Sequence, residues 1–423
     1  MPARRWRIAW LLGIGVLVNY FDRVNLSVSH ASLTAEFGIS DIVFGYLLSA
    51  YSLTYAACQL PIGVILDRLG VRRVGRIGAF LWSVASFGAA VAPNMAGLFG
   101  ARFVLGVGEA PTFPANAKAI GYWFPIKERS LATSIFDAAA KFASAIGVPI
   151  IGILLLHIGW RWSFALTGLV SFAYFIYFWK VYRDPADDPG LSAEERRYIE
   201  EGSALVTPEE DLRPATPLMR LLARPKVLGL AIGFGAYNYV FYMLLMWLPT
   251  YLATALHIDL YHSFLYTGVP WLIATVADVA VGGWLVDALV ERGWNADRVR
   301  KTILIGGTAC GLGILGAAHA ASPAGALAWI SLSIGGLAAS APVVWSLPSL
   351  IAHRNDVGKV GGIVNFSSQV SGILAPIVTG YLVAAFHSYT WAFGVAGIYL
   401  GVGIAAYVLM LGRLQPEDEA AAV

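Results

Sequence analysis

The sequence has little charge, little cysteine and none of the compact patterns that mark catalytic centres. Only 13% of its 423 residues are charged, and it has 2 cysteines. It contains no Gly-x-Ser-x-Gly elbow, no phosphate-binding loop and no His-Glu-x-x-His pair. Cys58 and Cys310 lie in apolar runs, and we interpret them as small hydrophobic residues. We therefore predict that the chain is not an enzyme, holds no metal or cofactor and binds no nucleic acid.

The chain is instead rich in long apolar runs. Hydrophobic residues make up 58% of it, and runs of roughly 18–25 apolar residues each match the thickness of a bilayer. The sequence predicts an all-α membrane protein with about twelve spans, and hence a bilayer as one partner. The predicted spans are 8–29, 42–66, 75–92, 96–122, 131–157, 161–182, 227–253, 263–290, 302–320, 325–351, 359–386 and 390–412.

The basic residues are distributed unevenly along this pattern. Arg161, at the start of span six, is the one basic residue assigned to the side opposite the N-terminus; Arg23, Arg102, Lys118 and Lys141 fall within spans. Because loops rich in Lys and Arg stay in the cytoplasm, we predict a multi-pass protein of the cell membrane with both termini cytoplasmic.

One long polar stretch divides the chain into two halves. Residues 183–224 separate six predicted spans from six more, so we predict helical bundles at 1–182 and 225–423 joined by a cytoplasmic linker. Within the linker, Ser192 followed three residues later by Glu195 indicates a capping box that opens a short amphipathic helix.

The two halves also carry similar patterns. A glycine and an acid four residues apart follow span two and recur, more weakly, after span eight. Two polar residues four apart precede a proline in spans five and eleven. Internal repeats of this kind are typical of transporters with a central site between two bundles. The first pattern comprises Gly63, Asp67, Arg68, Gly70, Arg72 and Arg73, with Gly283 and Asp287 as its copy; the second comprises Asp137 and Lys141, with Asn365 and Gln369 as its copy.

Three strings carry a resemblance to a known family. The loop after span two resembles that of the major facilitator superfamily. Residues 19–27 (NYFDRVNLS) and 108–118 (GEAPTFPANAK) resemble the anion:cation symporters, which include bacterial sugar-acid carriers and the vesicular glutamate and sialic acid carriers. The resemblance implies two pseudo-symmetric six-helix bundles that rock about a substrate. It further implies that the loop motif gates this movement, that Arg23 binds substrate, and that Asp22 and Glu109 carry protons.

Four charges interrupt predicted spans one and four. Each costs about 2.5–3.5 kcal/mol at the centre of a bilayer, so such charges usually line a transport path. Neighbours on a helix point about 100° apart, so Asp22 and Arg23 face different surroundings. Arg102 and Glu109 are seven residues apart and share a face. Arg102 either pairs with Asp22 or binds substrate, and the alternative for the whole set is ion pairs that only fix helix packing.

Asp137 and Lys141 depart from the resemblance, because the matching positions of the family are usually small or amide residues. An acid four residues before a lysine forms a favourable intrahelical pair, which is one interpretation. The other places Asp137 among the proton carriers and Lys141 in the site, as a second cation suited to a dicarboxylate.

Neutral polar residues complete the candidate site. Asn365 and Gln369 are candidates to bind substrate hydroxyls, as are Tyr237, Asn238 and Tyr242, with Tyr46 in span two either lining the site or packing. Asp278 is either a proton site or a local cap. We predict a monomeric proton-coupled symporter that imports a small organic anion, first a hydroxylated sugar acid. The alternative is an exchanger or facilitator of dicarboxylates or aromatic carboxylates.

Overall fold

Every regular element that the structure describes is helical. The computed structural model describes residues 4–125, 129–203, 216–352 and 356–414. The chain divides into two compact units, Met1–Pro208 and Glu209–Val423, and the division falls inside the polar stretch 183–224.

Unit 1 contains seven described α-helices. Apolar sequences of membrane-spanning length form the long ones, and polar or glycine-containing segments end them. The helices are α1 Arg4–Val28, α2 His30–Phe37, α3 Asp41–Ala90, α4 Met95–Glu109, α5 Thr112–Trp123, α6 Arg129–Val181 and α7 Ala193–Ser203. A short 3-10 turn, Pro185–Asp187, precedes α7. Within this unit α1 packs along α6, and α3 packs along α4 and α6.

Two glycines break the longest helices of unit 1 in the same way. Gly70 in α3 has φ 74° and ψ 167°, and Gly159 in α6 has φ 79° and ψ 166°. Residues with a side chain rarely adopt positive φ values, whereas glycine does so at no steric cost. Each break divides its helix into two limbs of membrane-spanning length, at the places where the sequence predicts a boundary between spans.

The segment after α6 is fastened to the start of α1. The Arg4 side chain donates to Asp188 at 2.7 Å, and the Arg5 side chain donates to Glu195 at 2.9 Å. The Glu195 carboxylate also accepts the backbone N–H groups of Arg4 and Arg5. The predicted capping box is therefore half right: Ser192 Oγ accepts from the Glu195 N–H at 3.2 Å, but the Glu195 carboxylate caps α1, whose free N–H groups attract negative charge.

Unit 2 contains ten described α-helices, several of which follow one another within one predicted span. They are α8 Leu218–Ala223, α9 Pro225–Thr254, α10 Leu260–Ala277, α11 Val286–Glu291, α12 Ala296–Gly311, α13 Gly313–Ala317, α14 Pro323–Ser346, α15 Pro348–Ile351, α16 Val357–Phe386 and α17 Thr390–Met410. A π-helical segment, Asp278–Leu285, joins α10 to α11. Helix α9 packs against α16 and α17, and α14 packs against α10 and α12.

Hydroxyl groups fix α16 against α9. Ser367 Oγ donates to the carbonyl of Ala231 at 2.7 Å, and one turn later Ser371 Oγ donates to the carbonyl of Gly235 at 2.7 Å. Positions two apart on a helix differ by about 200° in direction. Asn365 and Gln369 therefore point in a different direction from these two serines.

The described helices match the twelve predicted runs, six in each unit, when both limbs of α3 and of α6 are counted. Seven helices of the described part are long and apolar enough to cross a membrane by length and composition alone, and six of these lie in unit 2. Among the described residues of unit 1, only α6 meets that criterion. Helix α1 buries Asp22 and Arg23, and α4 buries Arg102 and Glu109, so unit 1 concentrates the buried charge.

Candidate functional site

An ion pair between α1 and α4 lies at the centre of the charged cluster, which we define as Asp22, Arg23, Arg102 and Glu109. Arg23 Nε donates to Glu109 Oε2 at 3.0 Å. The Arg23 side chain is 2% exposed and that of Glu109 is 0% exposed. A buried pair of this kind attracts strongly because little water screens it, and removing one partner leaves an uncompensated charge.

Three tyrosine rings surround the Arg23 guanidinium. Its Cζ atom lies 4.4 Å from the ring centre of Tyr20, 4.8 Å from that of Tyr51 and 5.6 Å from that of Tyr55. Tyr20 lies on α1, and Tyr51 and Tyr55 lie one turn apart on the first limb of α3. The negative faces of these rings stabilise a cation, so Arg23 keeps favourable contacts when Glu109 loses its charge.

The Asp22 carboxylate faces a different set of groups. Ser86 Oγ on α3 donates to its Oδ1 at 2.6 Å, and Ser171 Oγ on α6 donates to its Oδ2 at 2.7 Å. No ion pair joins this carboxylate to Arg23 or Arg102 in the part of the chain that the structure describes. The expectation that Asp22 and Arg23 face different surroundings agrees with this geometry. The suggested pairing of the Asp22 carboxylate with Arg102 is not seen, because the carboxylate points at the two serines.

Arg102 contacts the main chain of α1 instead. Its Nη1 atom donates to the Asp22 carbonyl at 3.3 Å, and its Cζ atom lies 5.4 Å from the Tyr51 ring centre. The side chain is buried, and its Nε and Nη2 atoms have no hydrogen-bond partner among the described residues. Arg102 therefore places a second guanidinium next to the Arg23–Glu109 pair, with donors left for another acceptor.

Asp137 and Lys141 form the intrahelical pair that their spacing predicts. Lys141 Nζ lies 2.9 Å from Asp137 Oδ2, with the Lys141 side chain 6% and the Asp137 side chain 26% exposed. Gly13 of α1 approaches Ile135 of the same α6 limb, but Ile135 is two residues before Asp137 and points about 200° away from it. Lys118 on α5 donates to the Leu66 carbonyl at 3.3 Å.

The loop motif spans the break in α3. Arg68 and Arg73 are exposed, and Arg72 lies 3.9 Å from Asp187. The backbone at Gly63 and Asp67 is helical. The Asp67 side chain and the surroundings of Gly63 lie outside the described residues, so the proposed gating contact stays a prediction.

In unit 2, the repeat pattern falls on one side of α16. Gln369 is buried, and its Oε1 atom has no hydrogen-bond partner among the described residues. Asn365 is half-buried, one turn earlier. A buried amide oxygen without a donor is uncommon, because an unmatched polar group costs about 1–3 kcal/mol.

The remaining candidates differ in how available they are. Tyr237 is buried and stacks on Phe234 with ring centres 5.3 Å apart. Asn238 Nδ2 donates to the Phe234 carbonyl of its own helix at 2.8 Å. Tyr242 is buried and covers Gly372 of α16. Tyr46 is 43% exposed on α3. Asp278 is buried at the start of the π-helical segment, and such segments often mark functional positions.

Five residues around the charged cluster were not predicted from the sequence: Ser86, Ser171, Tyr20, Tyr51 and Tyr55. Tyr20 stands within the family string, next to Asp22 and Arg23, and that position is a signal. Tyr51 and Tyr55 are spaced four apart, which places them on one face of a helix. Ser86 and Ser171 carry no signal, because serine is common in packed membrane helices.

Comparisons with known proteins agree with this architecture. The Major Facilitator Superfamily model matches residues 12–295 and 290–422. The transporter YybO of Bacillus subtilis is 38% identical over 97% of this chain and 95% of its own length. The D-galactonate transporter of Escherichia coli is 32% identical over 97% of this chain and 96% of its own. The probable sulfoacetate transporter SauU of Cupriavidus necator is 31% identical over 98% and 96%.

Solved structures share the fold at low identity. A bacterial homologue of the lysosomal transporter Spinster has a TM-score of 0.77 at 17% identity, covering 98% of both chains. The D-xylose–proton symporter has a TM-score of 0.73 at 18% identity, also covering 98% of both. The chain is thus a multi-pass membrane transporter with an all-helical fold, and not an enzyme. It belongs to the major facilitator superfamily and is related there to carriers of the anion:cation symporter family.

Proposed function

We propose that this transporter is a proton-coupled symporter that imports a small organic anion. The observation that carries the proposal is the buried pair of Arg23 and Glu109 at 3.0 Å. A proton on Glu109 removes the negative charge that holds Arg23, whereas the guanidinium stays charged at any accessible pH. Arg23 then offers a planar, bidentate grip to the carboxylate of the substrate. Loss of the proton on the other side of the membrane restores the pair and releases the anion.

Asp22 supplies a second proton site with its own partners. The hydroxyls of Ser86 and Ser171 donate to its carboxylate in the described state. A hydroxyl is both donor and acceptor, so each serine can rotate to accept from a protonated carboxyl group. When both acids take a proton in each cycle, import of a monoanion carries net positive charge inward, and transport is electrogenic.

Hydroxylated sugar acids are the proposed substrate class. The support is the relationship to the D-galactonate transporter, whose named substrate has one carboxylate and several hydroxyls. Arg23 would bind the carboxylate, with Arg102 as a second donor. Gln369 and Asn365, together with Tyr46, Tyr237, Asn238 and Tyr242, are the candidates for hydrogen bonds to hydroxyls.

A second candidate is an exchanger or facilitator for anions with two acid groups or an aromatic carboxylate. The pair of Lys141 and Asp137 supports it, since a buried lysine can exchange Asp137 for a second acid group of the substrate. The relationship to a probable sulfoacetate transporter points the same way, because sulfoacetate carries a carboxylate and a sulfonate. Under this second proposal, the positive charge of Lys141 makes the carrier prefer substrates with two acid groups, and Asp137 does not carry a proton.

The sidedness follows from the basic residues. We propose that the N-terminal end of α1 faces the cytoplasm, where Arg4 and Arg5 hold the segment after α6. Arg161 and Glu36 then lie on the outer side. We also propose that the protein works as a monomer in the cell membrane, with six spans in each unit forming one carrier.

Uptake by purified protein in proteoliposomes tests the coupling. We expect an inward proton gradient to drive accumulation of a sugar acid and an uncoupler to abolish it. Glu109→Gln keeps the shape of the side chain and cannot exchange a proton, so it should retain exchange of labelled for unlabelled substrate and lose uphill accumulation. Ser144→Ala is the matched control, because Ser144 is buried and bonds only the Ala140 carbonyl of its own helix.

The outcomes separate the two candidates. Accumulation that ignores the proton gradient and requires substrate on the far side would establish the exchanger and refute the symporter. The substrate class is found with a thermal-shift screen of sugar acids, dicarboxylates and aromatic acids, since a ligand that binds only the native state raises its melting temperature. Lys141→Gln should weaken binding of dianions far more than of monoanions under the second proposal only.

A further inference from the structure

Two arginines of unit 1, neither of them part of the charged cluster, donate to a single carbonyl oxygen. Arg76 Nη2 donates to the Trp179 carbonyl at 2.9 Å, and Arg183 Nη1 donates to the same carbonyl at 3.0 Å. Arg72 lies one turn before Arg76 on α3, and the charges of Arg72 and Arg183 both act on Arg76. Three guanidinium groups therefore gather around the end of α6.

The positive charge of this group is poorly compensated. Neither Arg76 nor Arg183 forms an ion pair with a carboxylate among the described residues. Arg72 has Asp187 at 3.9 Å, and the Asp187 side chain is 64% exposed to solvent. The Nε atoms of Arg72 and Arg76 are buried and have no hydrogen-bond partner in the described part of the chain. Like charges this close repel, so an anion between them would bind favourably.

An aromatic surface continues from the arginines along the spans. The Arg76 Cζ atom lies 4.5 Å from the ring centre of Trp179, and Trp179 is 49% exposed. The Phe175 ring follows at 5.5 Å from Trp179, and the Phe80 ring lies 5.6 Å from Phe175. Tryptophan favours the membrane–water interface, so this path leads from the headgroup level toward the hydrocarbon.

We propose that Arg72, Arg76 and Arg183 bind the phosphate of an anionic phospholipid whose acyl chain lies over Trp179, Phe175 and Phe80. Planar guanidinium groups match the oxygens of a phosphate and bind it bidentately. Charge complementarity selects an anionic lipid over a zwitterionic one, and the aromatic path selects a lipid over free phosphate. The site lies at the same end of α6 as the Arg4 and Asp188 contact, the end proposed to face the cytoplasm, where the membrane surface is negative. Arg72 belongs to the predicted gating loop motif, whereas Arg76 and Arg183 have no part in the transport mechanism proposed above.

Lipid retention measured by native mass spectrometry tests the site. The protein is purified from bilayers that contain equal amounts of phosphatidylglycerol and phosphatidylcholine, and the lipids that stay bound to it are counted. We expect selective retention of phosphatidylglycerol by the natural protein. For the double variant Arg76→Gln/Arg183→Gln we expect about tenfold weaker retention, since it loses two charge-assisted contacts. Lys180→Gln is the control, because Lys180 is exposed beside Trp179 and its substitution removes one positive charge, as Arg183→Gln alone does.

Each outcome decides the proposal. Equal loss of lipid in Lys180→Gln and in the double variant would mean that total charge, and not this site, attracts the lipid. Unchanged retention in the double variant would also overturn it. If inorganic phosphate raised the melting temperature by as much as phosphatidylglycerol does, the site would bind anions without selecting a lipid, and the proposal would be overturned. Should the double variant fail to fold, Arg183→Gln alone is used, as it lies beyond the end of α6, with about threefold weaker retention expected.

Discussion

Removing Arg23 and removing Glu109 each break the same ion pair, but the two changes should destabilise the protein by different amounts. Removing one partner of a buried ion pair typically costs about 3–5 kcal/mol, because the other charge stays buried without compensation. In Glu109→Gln the remaining cation keeps three ring contacts, at 4.4, 4.8 and 5.6 Å. At about 0.5–2 kcal/mol each, these contacts offset much of the loss. We expect Glu109→Gln to cost about 1–3 kcal/mol.

Arg23→Gln should cost more. It leaves the Glu109 carboxylate, which is 0% exposed, without its ion-pair partner, and it also removes the contacts of the guanidinium with the rings of Tyr20, Tyr51 and Tyr55. No direct ion pair with Arg102 takes over within the described residues. The expected loss is at the upper end of the range, about 4–5 kcal/mol. The double variant removes both members of the pair, so neither side chain is left without the other, and its loss should be smaller than the sum of the two single losses by about 1–3 kcal/mol.

Thermal unfolding of the substrate-free protein in one lipid–detergent mixture measures this. The natural protein should have the highest melting temperature, followed by Glu109→Gln and then Arg23→Gln. The double variant should melt at a higher temperature than the sum of the two single losses predicts. Ser144→Ala should melt like the natural protein. Additive losses would refute a direct interaction between the two side chains, and a milder effect of Arg23→Gln than of Glu109→Gln would refute the role of the tyrosine rings.

Two further predictions concern other parts of unit 1. Ser86→Ala removes a hydroxyl that donates to Asp22 at 2.6 Å, and hydrogen bonds to charged groups contribute about 1.5–3 kcal/mol. Proton-driven uptake should fall roughly tenfold or more, whereas Ser83→Ala, one turn earlier and bonded only within its helix, should leave it unchanged; equal effects would remove Ser86 from the proton site. At the other end, the hydrogen bond from Trp160 and then the charge of Arg161 lower the pKa of Glu36. A lowered pKa stabilises the folded state above the unfolded value, near 4.3, and the gain disappears as pH falls below the folded value. Glu36→Gln should therefore lower the melting temperature slightly at pH 7, by the equivalent of about 0.5 kcal/mol at this partly exposed site, and by progressively less as the pH falls below about 4; a difference that does not change with pH would contradict this.

Much of the fold could be predicted because a membrane leaves the backbone few choices. Each peptide group in hydrocarbon must bond within its own helix, so an apolar run of sufficient length is a helix. The runs near 42–66 and 75–92 became the two limbs of α3, and the change of direction falls on Gly70, where φ is 74°. The pairing of Asp137 with Lys141 could be predicted for the same reason, since four residues is one helical turn.

Part of the candidate site could not be predicted, and Asp22 shows why. Helical geometry requires Asp22 and Arg23 to point apart, but it leaves open what each one meets. The partners of Asp22 are 64 and 149 residues away along the chain, at Ser86 and Ser171. Glu195 is a similar case, because its spacing from Ser192 predicts a cap on its own helix. Its carboxylate instead binds the start of α1, where two backbone N–H groups and the Arg5 guanidinium provide three hydrogen-bond donors.

The sequence alone determined that this protein crosses the membrane as helices, roughly where those helices lie along the chain, and which charges a bilayer would have to bury. These properties depend on hydrophobicity and helical period, which act over neighbouring residues. The tertiary structure alone decided which charge meets which partner: Arg23 lies among three tyrosines with Glu109, Asp22 between two serines, and Arg76 beside Arg183. Such pairings depend on how helices distant in the chain pack together. Hydrogen bonds and ion pairs act over a few ångströms only, so no local pattern in the sequence records them.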